Sequence, residues 1–230
     1  MIRFREVHYS YRPGEPVLQG INLRIADGLT LLLGPNGCGK STLLKLAAGV
    51  ERPDKGVVEI EGCDLWRAET AARRNLSFVP EQPDLTPYAT IMDILRLVCR
   101  LRGEPAGQAY DALQATGLEK LARRSIRELS MGQRRRAVLA AAWIGTPRVI
   151  LLDEPLEAMD RTMREQICTW IERLLNNRAS VLIATHDIEP FLSRAVRAVT
   201  IKDGRCVMYH ELPEDSGRRA EILESLSRGR

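Results

Sequence analysis

The chain has 230 residues, 34 Lys and Arg against 30 Asp and Glu, a net charge of +4 and 44% hydrophobic residues. That length suits one large α/β domain, or one domain with an inserted subdomain, because single cores usually stop growing at about 250–300 residues. The longest uncharged apolar run, Ala137 to Gly145, excludes a lone bilayer span, and dispersed arginines with sparse aromatic residues argue against a nucleic-acid stripe.

The N-terminus, MIRFREVHYSY, carries charges where a signal peptide needs an apolar core, so a cytoplasmic chain is expected. Ile2 to His8 alternates apolar and polar side chains, and Val17 to Ile25 does so again after the turn Arg12-Pro13-Gly14-Glu15-Pro16. Two antiparallel strands are predicted there. Tyr11, at the turn, is either incidental or placed to stack on an adenine ring. The apolar run Leu29 to Leu33 predicts a buried strand, and the stretch after it, GPNGCGKST, fits G-x-x-x-x-G-K-[ST] and leads into helical sequence from Leu43 to Ala48.

That stretch, Gly34, Pro35, Asn36, Gly37, Cys38, Gly39, Lys40, Ser41 and Thr42, is assigned to binding nucleotide phosphates. Gly34, Gly37 and Gly39 let the backbone curl so that N–H groups and a helix N-terminus face phosphate oxygens. Lys40 is expected to reach the β- and γ-phosphates, and the Ser41 hydroxyl is a hard ligand suited to magnesium.

Gly56 to Ile60 predicts a short strand followed by the turn Glu61-Gly62, and Leu76 to Val79 predicts another that ends in Pro80-Glu81-Gln82-Pro83. Gln82 therefore sits at a strand end, where its carbonyl either ligates magnesium and orients water or belongs to a plain polar loop. From about Thr86 to Ala122 the periodicity turns helical through Ile91, Ile94, Leu95, Val98 and Leu101, breaks at Gly103-Glu104-Pro105 and resumes through Leu113. An inserted helical subdomain is predicted over about residues 86–146.

It contains Leu129-Ser130-Met131-Gly132-Gln133, where Ser130 has N-cap chemistry ahead of a helix rich in arginine and alanine. That helix end, with the small Gly132, is a second place for phosphate oxygens to dock. The Arg134, Arg135, Arg136 run and the tail from Arg218 read as solvated faces or as favouring an anionic membrane surface.

Val149 to Leu152 predicts a strand buried on both faces, with Asp153 and Glu154 at its carboxyl end. Asp153 suits a magnesium shell, and Glu154 suits polarising the water that attacks the γ-phosphate. Asp160 is equally a helix N-cap. Val181 to Ala184 delivers Thr185-His186-Asp187 to the same edge, where His186 is read as a γ-phosphate sensor. Ala198 to Lys202 and Arg205 to Tyr209, joined by Asp203-Gly204, predict a type I′ hairpin. Residues 1–85 and 147–212 thus read as a catalytic core, and 213–230 as a C-terminal helix. Cys38, Cys63, Cys99, Cys168 and Cys206 stand singly, which argues against a zinc site or disulfide framework.

With phosphate cradle, strand-end glutamine, LSMGQ, LLDEP and THD in this order and spacing, the chain resembles the ATP-binding subunit of an ABC transporter over nearly its full length. The resemblance implies a single nucleotide-binding domain of α/β class: a P-loop NTPase (RecA-like) core with an antiparallel β subdomain and an inserted helical subdomain. It implies ATP and Mg2+, with Tyr11 stacking on adenine, Glu154 as general base and His186 as switch histidine. Lys40 and Gln82 complete the catalytic set, and Ser41, Gln82 and Asp153 the metal set. Ser130, Gly132 and Gln133 would act in trans on the nucleotide of a second copy, and Asp160 would communicate across the dimer.

The implied partners are a second nucleotide-binding subunit, identical or a paralogue, and transmembrane permease subunits, with no nucleic acid. The implied place is peripheral, on the cytoplasmic face of the inner or plasma membrane. Met131 at the third signature position and Glu157-Ala158-Met159-Asp160 depart from the commoner forms without removing a catalytic group. Residues 79–82 and 95–103 look like those of exporter ATPases, so export is expected. An importer subunit, or a soluble ATPase driving an assembly such as iron–sulfur cluster synthesis, is the alternative.

Overall fold

A computed structural model describes residues 1–229. The N-terminal alternation produces a longer hairpin than predicted, with β1 at Ile2–Arg12 and β2 at Glu15–Ile25. Only Pro13 and Gly14 separate them, and Gly14 has φ 85°, a turn conformation that a side chain would strain. The β1–β2 pairing slips repeatedly after Phe4. Each slip shifts which side chains face the core, so simple alternation fails beyond His8 although the strand continues.

β3 (Gly28–Leu33) runs into the phosphate loop, and α1 (Lys40–Ala48) leaves it between Gly39 and Gly49, both at positive φ. Next come β4 (Lys55–Ile60) and β5 (Cys63–Asp64), which complete a four-stranded antiparallel sheet in the order β2-β1-β4-β5. Then follow α2 (Glu69–Arg74) and β6 (Leu76–Val79).

The helical stretch resolves into α3 (Ile91–Arg102), α4 (Gln108–Ala115) and α5 (Met131–Trp143). Thr90 and Asp93 form a capping box at the start of α3, and Gly103 at φ 73° ends it, as the break there predicts. After α5 come β7 (Val149–Asp153), α6 (Arg161–Asn176) and β8 (Ser180–Ala184). The chain then forms β9 (Ala195–Lys202), β10 (Arg205–Tyr209) and α7 (Ser216–Ser227). Asp203 and Gly204 both have positive φ between β9 and β10, as a type I′ turn requires.

The second sheet has six strands in the order β10-β9-β3-β8-β7-β6, parallel except for β10 at its edge. β3, β7 and β8 are buried almost throughout because both faces of this sheet are covered. On one face Leu32, Leu151 and Leu182 pack with α1 and the antiparallel sheet; on the other Leu31, Ile150 and Ile183 pack with α6 and α7. A third apolar cluster, holding Ile91, Leu95, Leu113 and Ala140, belongs to α3, α4 and α5. Each fully buried leucine or isoleucine in these layers contributes roughly 1.5–3 kcal/mol.

Candidate active site

The parallel register decides where the polar residues meet. Leu32 pairs with Ala184, Ala184 with Asp153, and Leu152 with Val79, so four strands end at one edge of the sheet. Four chain segments therefore leave together: the loop after Leu33, Asp153-Glu154, Thr185-His186-Asp187 and Pro80-Glu81-Gln82. Such an edge is where open α/β sheets hold ligands, and here it opens into a cleft of about 900 Å³.

Tyr11, Asn36, Gly37, Gly39, Lys40, Ser41 and Thr42 line this cleft with Asp153, Glu154 and His186. The Tyr11 ring meets Tyr9 edge to face at 5.0 Å, and its hydroxyl lies 3.2 Å from Thr42 Oγ1, so the aromatic is tethered beside the loop. Lys40 is 8% exposed and donates from Nζ to the carbonyls of Gly34 at 2.7 Å and Pro35 at 3.1 Å. Its ammonium is thus held inside the loop, as a buried charge must be.

Asp153 is buried, and burial pushes its carboxyl above the ordinary aspartate range, while a hydrogen bond from the Ser41 hydroxyl and the nearby Lys40 charge partly offset this. Two adjacent hard oxygen donors fit magnesium, which takes one or two protein oxygens and completes its shell with phosphate and water. Burial likewise raises the Glu154 carboxyl. Its Oε2 accepts hydrogen bonds from the Thr185 hydroxyl at 3.1 Å and from the His186 backbone N–H at 3.3 Å. The His186 ring reaches Asn36 Oδ1 with Nε2 at 2.7 Å and stands 3.7 Å from Glu154 Oε1.

Several sequence-predicted residues lie elsewhere. Gln82 is exposed and does not line the cleft; its neighbour Glu81 does, and raises Asp153 further. The chain bends at these two residues just past the end of β6, and only Glu81 is turned to the cleft. Gly34, Pro35 and Cys38 line a separate cavity behind the loop, against Ile201 and Tyr209.

Ser130, Gly132 and Gln133 also lie outside the cleft. Ser130 Oγ accepts the Gln133 N–H at 3.3 Å and the Gln133 side chain accepts the Ser130 N–H at 3.0 Å, a capping box at the start of α5. Asp160 caps α6 by accepting the Met163 N–H at 2.9 Å and pairs with Arg136.

The arginine run is not a solvated face. Arg134 donates to the Ile126 carbonyl at 3.1 Å, Arg136 binds Asp160, and Arg135 is buried against the loop after Glu154. Glu157, Ala158 and Met159, which stand out in the sequence only as departures from the commoner forms, also line the cleft, as does Arg164, which motif reading passed over and which is paired with Asp187. The only signal for Arg164 is position, just after a short loop between a strand-end acid pair and a helix.

The ABC transporter family profile matches residues 18–157. A spermidine/putrescine import ATP-binding protein of Marinobacter nauticus is 38% identical over 197 residues, covering 83% of this chain and 52% of that one. One of Nitratidesulfovibrio vulgaris is 37% identical over 213 residues, covering 90% and 56%. The chain spans about half the length of these curated relatives.

Among solved structures, a dimeric ATP-binding cassette in a post-hydrolysis state with ADP and Pi superposes with a TM-score of 0.80 at 27% identity, covering 91% of this chain and 98% of that one. An ATP-binding subunit of an ABC transporter, at 22% identity, shares the fold with a TM-score of 0.84 over 97% and 94%. The α/β fold is that of the P-loop NTPases, and the chain belongs to the ABC transporter family as an ATP-binding subunit.

Proposed function

We propose that the chain hydrolyses ATP in a head-to-tail dimer to drive solute uptake through separate membrane subunits, on whose cytoplasmic side it sits. The observation that carries this reading is the convergence of the phosphate loop, Asp153, Glu154 and His186 at one sheet edge. Phosphate oxygens compete with the Gly34 and Pro35 carbonyls for the Lys40 ammonium, and a charged acceptor wins over neutral ones. Ser41 and Asp153 would hold a magnesium ion, which when bound neutralises charge on the phosphates.

Glu154 takes the proton of the attacking water. Its Oε2 is already occupied by Thr185 and His186, which leaves Oε1 for that water. Burial raises its basicity, bringing a carboxylate closer to the working pH of a general base. His186, between Asn36 and Glu154, is placed to read the terminal phosphate. The α5 N-terminus lies outside the cleft of its own chain and serves the nucleotide of the second copy, so dimer closure completes each site.

Import replaces the export expected from residues 79–82 and 95–103, because the relatives matched at 37–38% identity carry import names. The test is to tag the chain in its own host, solubilise membranes in mild detergent and identify stoichiometric partners by mass spectrometry. A multi-span partner together with an external solute-binding protein supports uptake. Soluble partners alone would put an assembly ATPase first.

A further inference from the structure

Arg135 lies in the second turn of α5, the helix capped by Ser130, with 6% of its surface exposed. Its Nη2 donates to the Glu154 carbonyl at 2.8 Å, and its Nη1 donates to the Glu157 carbonyl at 3.1 Å and the Glu157 carboxylate at 3.0 Å. A guanidinium is buried without penalty only when its donors are met, and here one fork meets three acceptors in a single loop.

That loop is held in an unusual shape. Glu154 at φ 47° and Ala158 at φ 55° both adopt the left-handed backbone that residues with side chains keep only under constraint. The Glu154 N–H is bonded to the Ala184 carbonyl at 2.9 Å, and its own carbonyl is taken by Arg135. The two peptides that flank the Glu154 Cα are thus fixed, one from the sheet and the other from α5. The direction in which the Glu154 side chain leaves the backbone follows from them.

We propose that Arg135 is a positioning residue that links α5 to the general base: when the Ser130 end of α5 docks on the partner's nucleotide, the guanidinium transmits its placement to the Glu154 peptide and the Glu157–Met159 loop. This rests on the reading of Glu154 as base and of the α5 end as docking in trans. Lysine keeps the charge but, as a point donor, cannot hold two carbonyls in one plane.

The experiment compares steady-state phosphate release by Arg135→Lys, Glu154→Gln and the parent, well below their melting midpoints. Arg135→Lys is expected to lower kcat about tenfold or more while leaving KM and ATP affinity within about twofold, a split that general loosening of the fold would not give. Glu154→Gln at the parental rate would remove the base reading and this proposal with it. Glu154→Gln inactive beside Arg135→Lys at the parental kcat would overturn the Arg135 role alone. Should Arg135→Lys fail to fold, Glu157→Lys places a repelling charge beside the guanidinium from an exposed side chain. The same kcat loss at constant KM is expected of it, and a parental kcat overturns the proposal.

Discussion

Ser130 carries two roles that one substitution separates. Its hydroxyl caps α5 by accepting the Gln133 N–H, and in the proposed dimer the same helix end meets the terminal phosphate of the partner's nucleotide. Aspartate caps helices as well as serine does and suits the positive end of the helix, so Ser130→Asp should keep the roughly 1 kcal/mol of the cap. A carboxylate about 4 Å from a phosphate charge, however, costs about 4 kcal/mol at an effective dielectric constant of about 20. That repulsion corresponds to roughly a thousandfold loss of dimer per site. The assay is gel filtration or light scattering of Glu154→Gln, with and without Ser130→Asp, at saturating ATP, beside melting curves of both. Unchanged melting with no nucleotide-dependent dimer is expected. An ATP dimer as stable as in the Glu154→Gln parent would refute docking of this helix end on phosphate.

Glu154→Gln keeps an acceptor for Thr185 and His186 but loses the base, so kcat should fall about 10²–10⁴-fold with ATP affinity preserved. Because burial raises the Glu154 carboxyl, the acid limb of the parental kcat should have its midpoint above about 4.3, the ordinary glutamate value, and the residual rate of the glutamine variant should lack it. Lys40→Ala should weaken ATP binding about 10–100-fold in a fluorescent-nucleotide titration, since a charge-assisted contact contributes about 1.5–3 kcal/mol; parental affinity would contradict the lysine's assignment. Asp153→Asn should abolish turnover yet melt higher at pH 7. The folded carboxyl is raised, so its ionisation opposes folding as pH climbs from the unfolded value through the folded one, and the variant's advantage should vanish below about pH 4.

Much of this arrangement was legible because a few local signals were unambiguous. The uninterrupted apolar strands announced a sheet covered on both faces, and the residues directly after them had to share its carboxyl edge once the strands were parallel. α2 was not legible: four polar residues and two alanines, with only Ala72 buried, have no periodicity and are held by their surroundings. The hairpin's second half was hidden by register slips, and the inward place of Glu81 by the bend that follows β6. Arg135 was misread for a different reason. A sequence shows three arginines in a row, but a helix sends neighbours to different faces, and only the fold says that the middle one meets a loop contributed from twenty residues downstream.

Several exceptions to ordinary folding rules meet at the cleft. Lys40 is buried among carbonyls, Asp153 and Glu154 are carboxylates raised by burial, and Glu154 and Ala158 hold left-handed backbones, all around the same cleft. Each feature is unfavourable for the chain alone and favourable toward a polyphosphate with its cation. The loop carbonyls that hold Lys40 are the acceptors that the phosphates replace, and the desolvation that raises Asp153 is relieved by an adjacent positive charge. On the proposed reading, nucleotide binding would offset these costs. The melting midpoint should rise with ATP concentration as the ligand-linkage relation requires, and the Asp153→Asn chain, relieved in advance, should gain less from magnesium than the parent does.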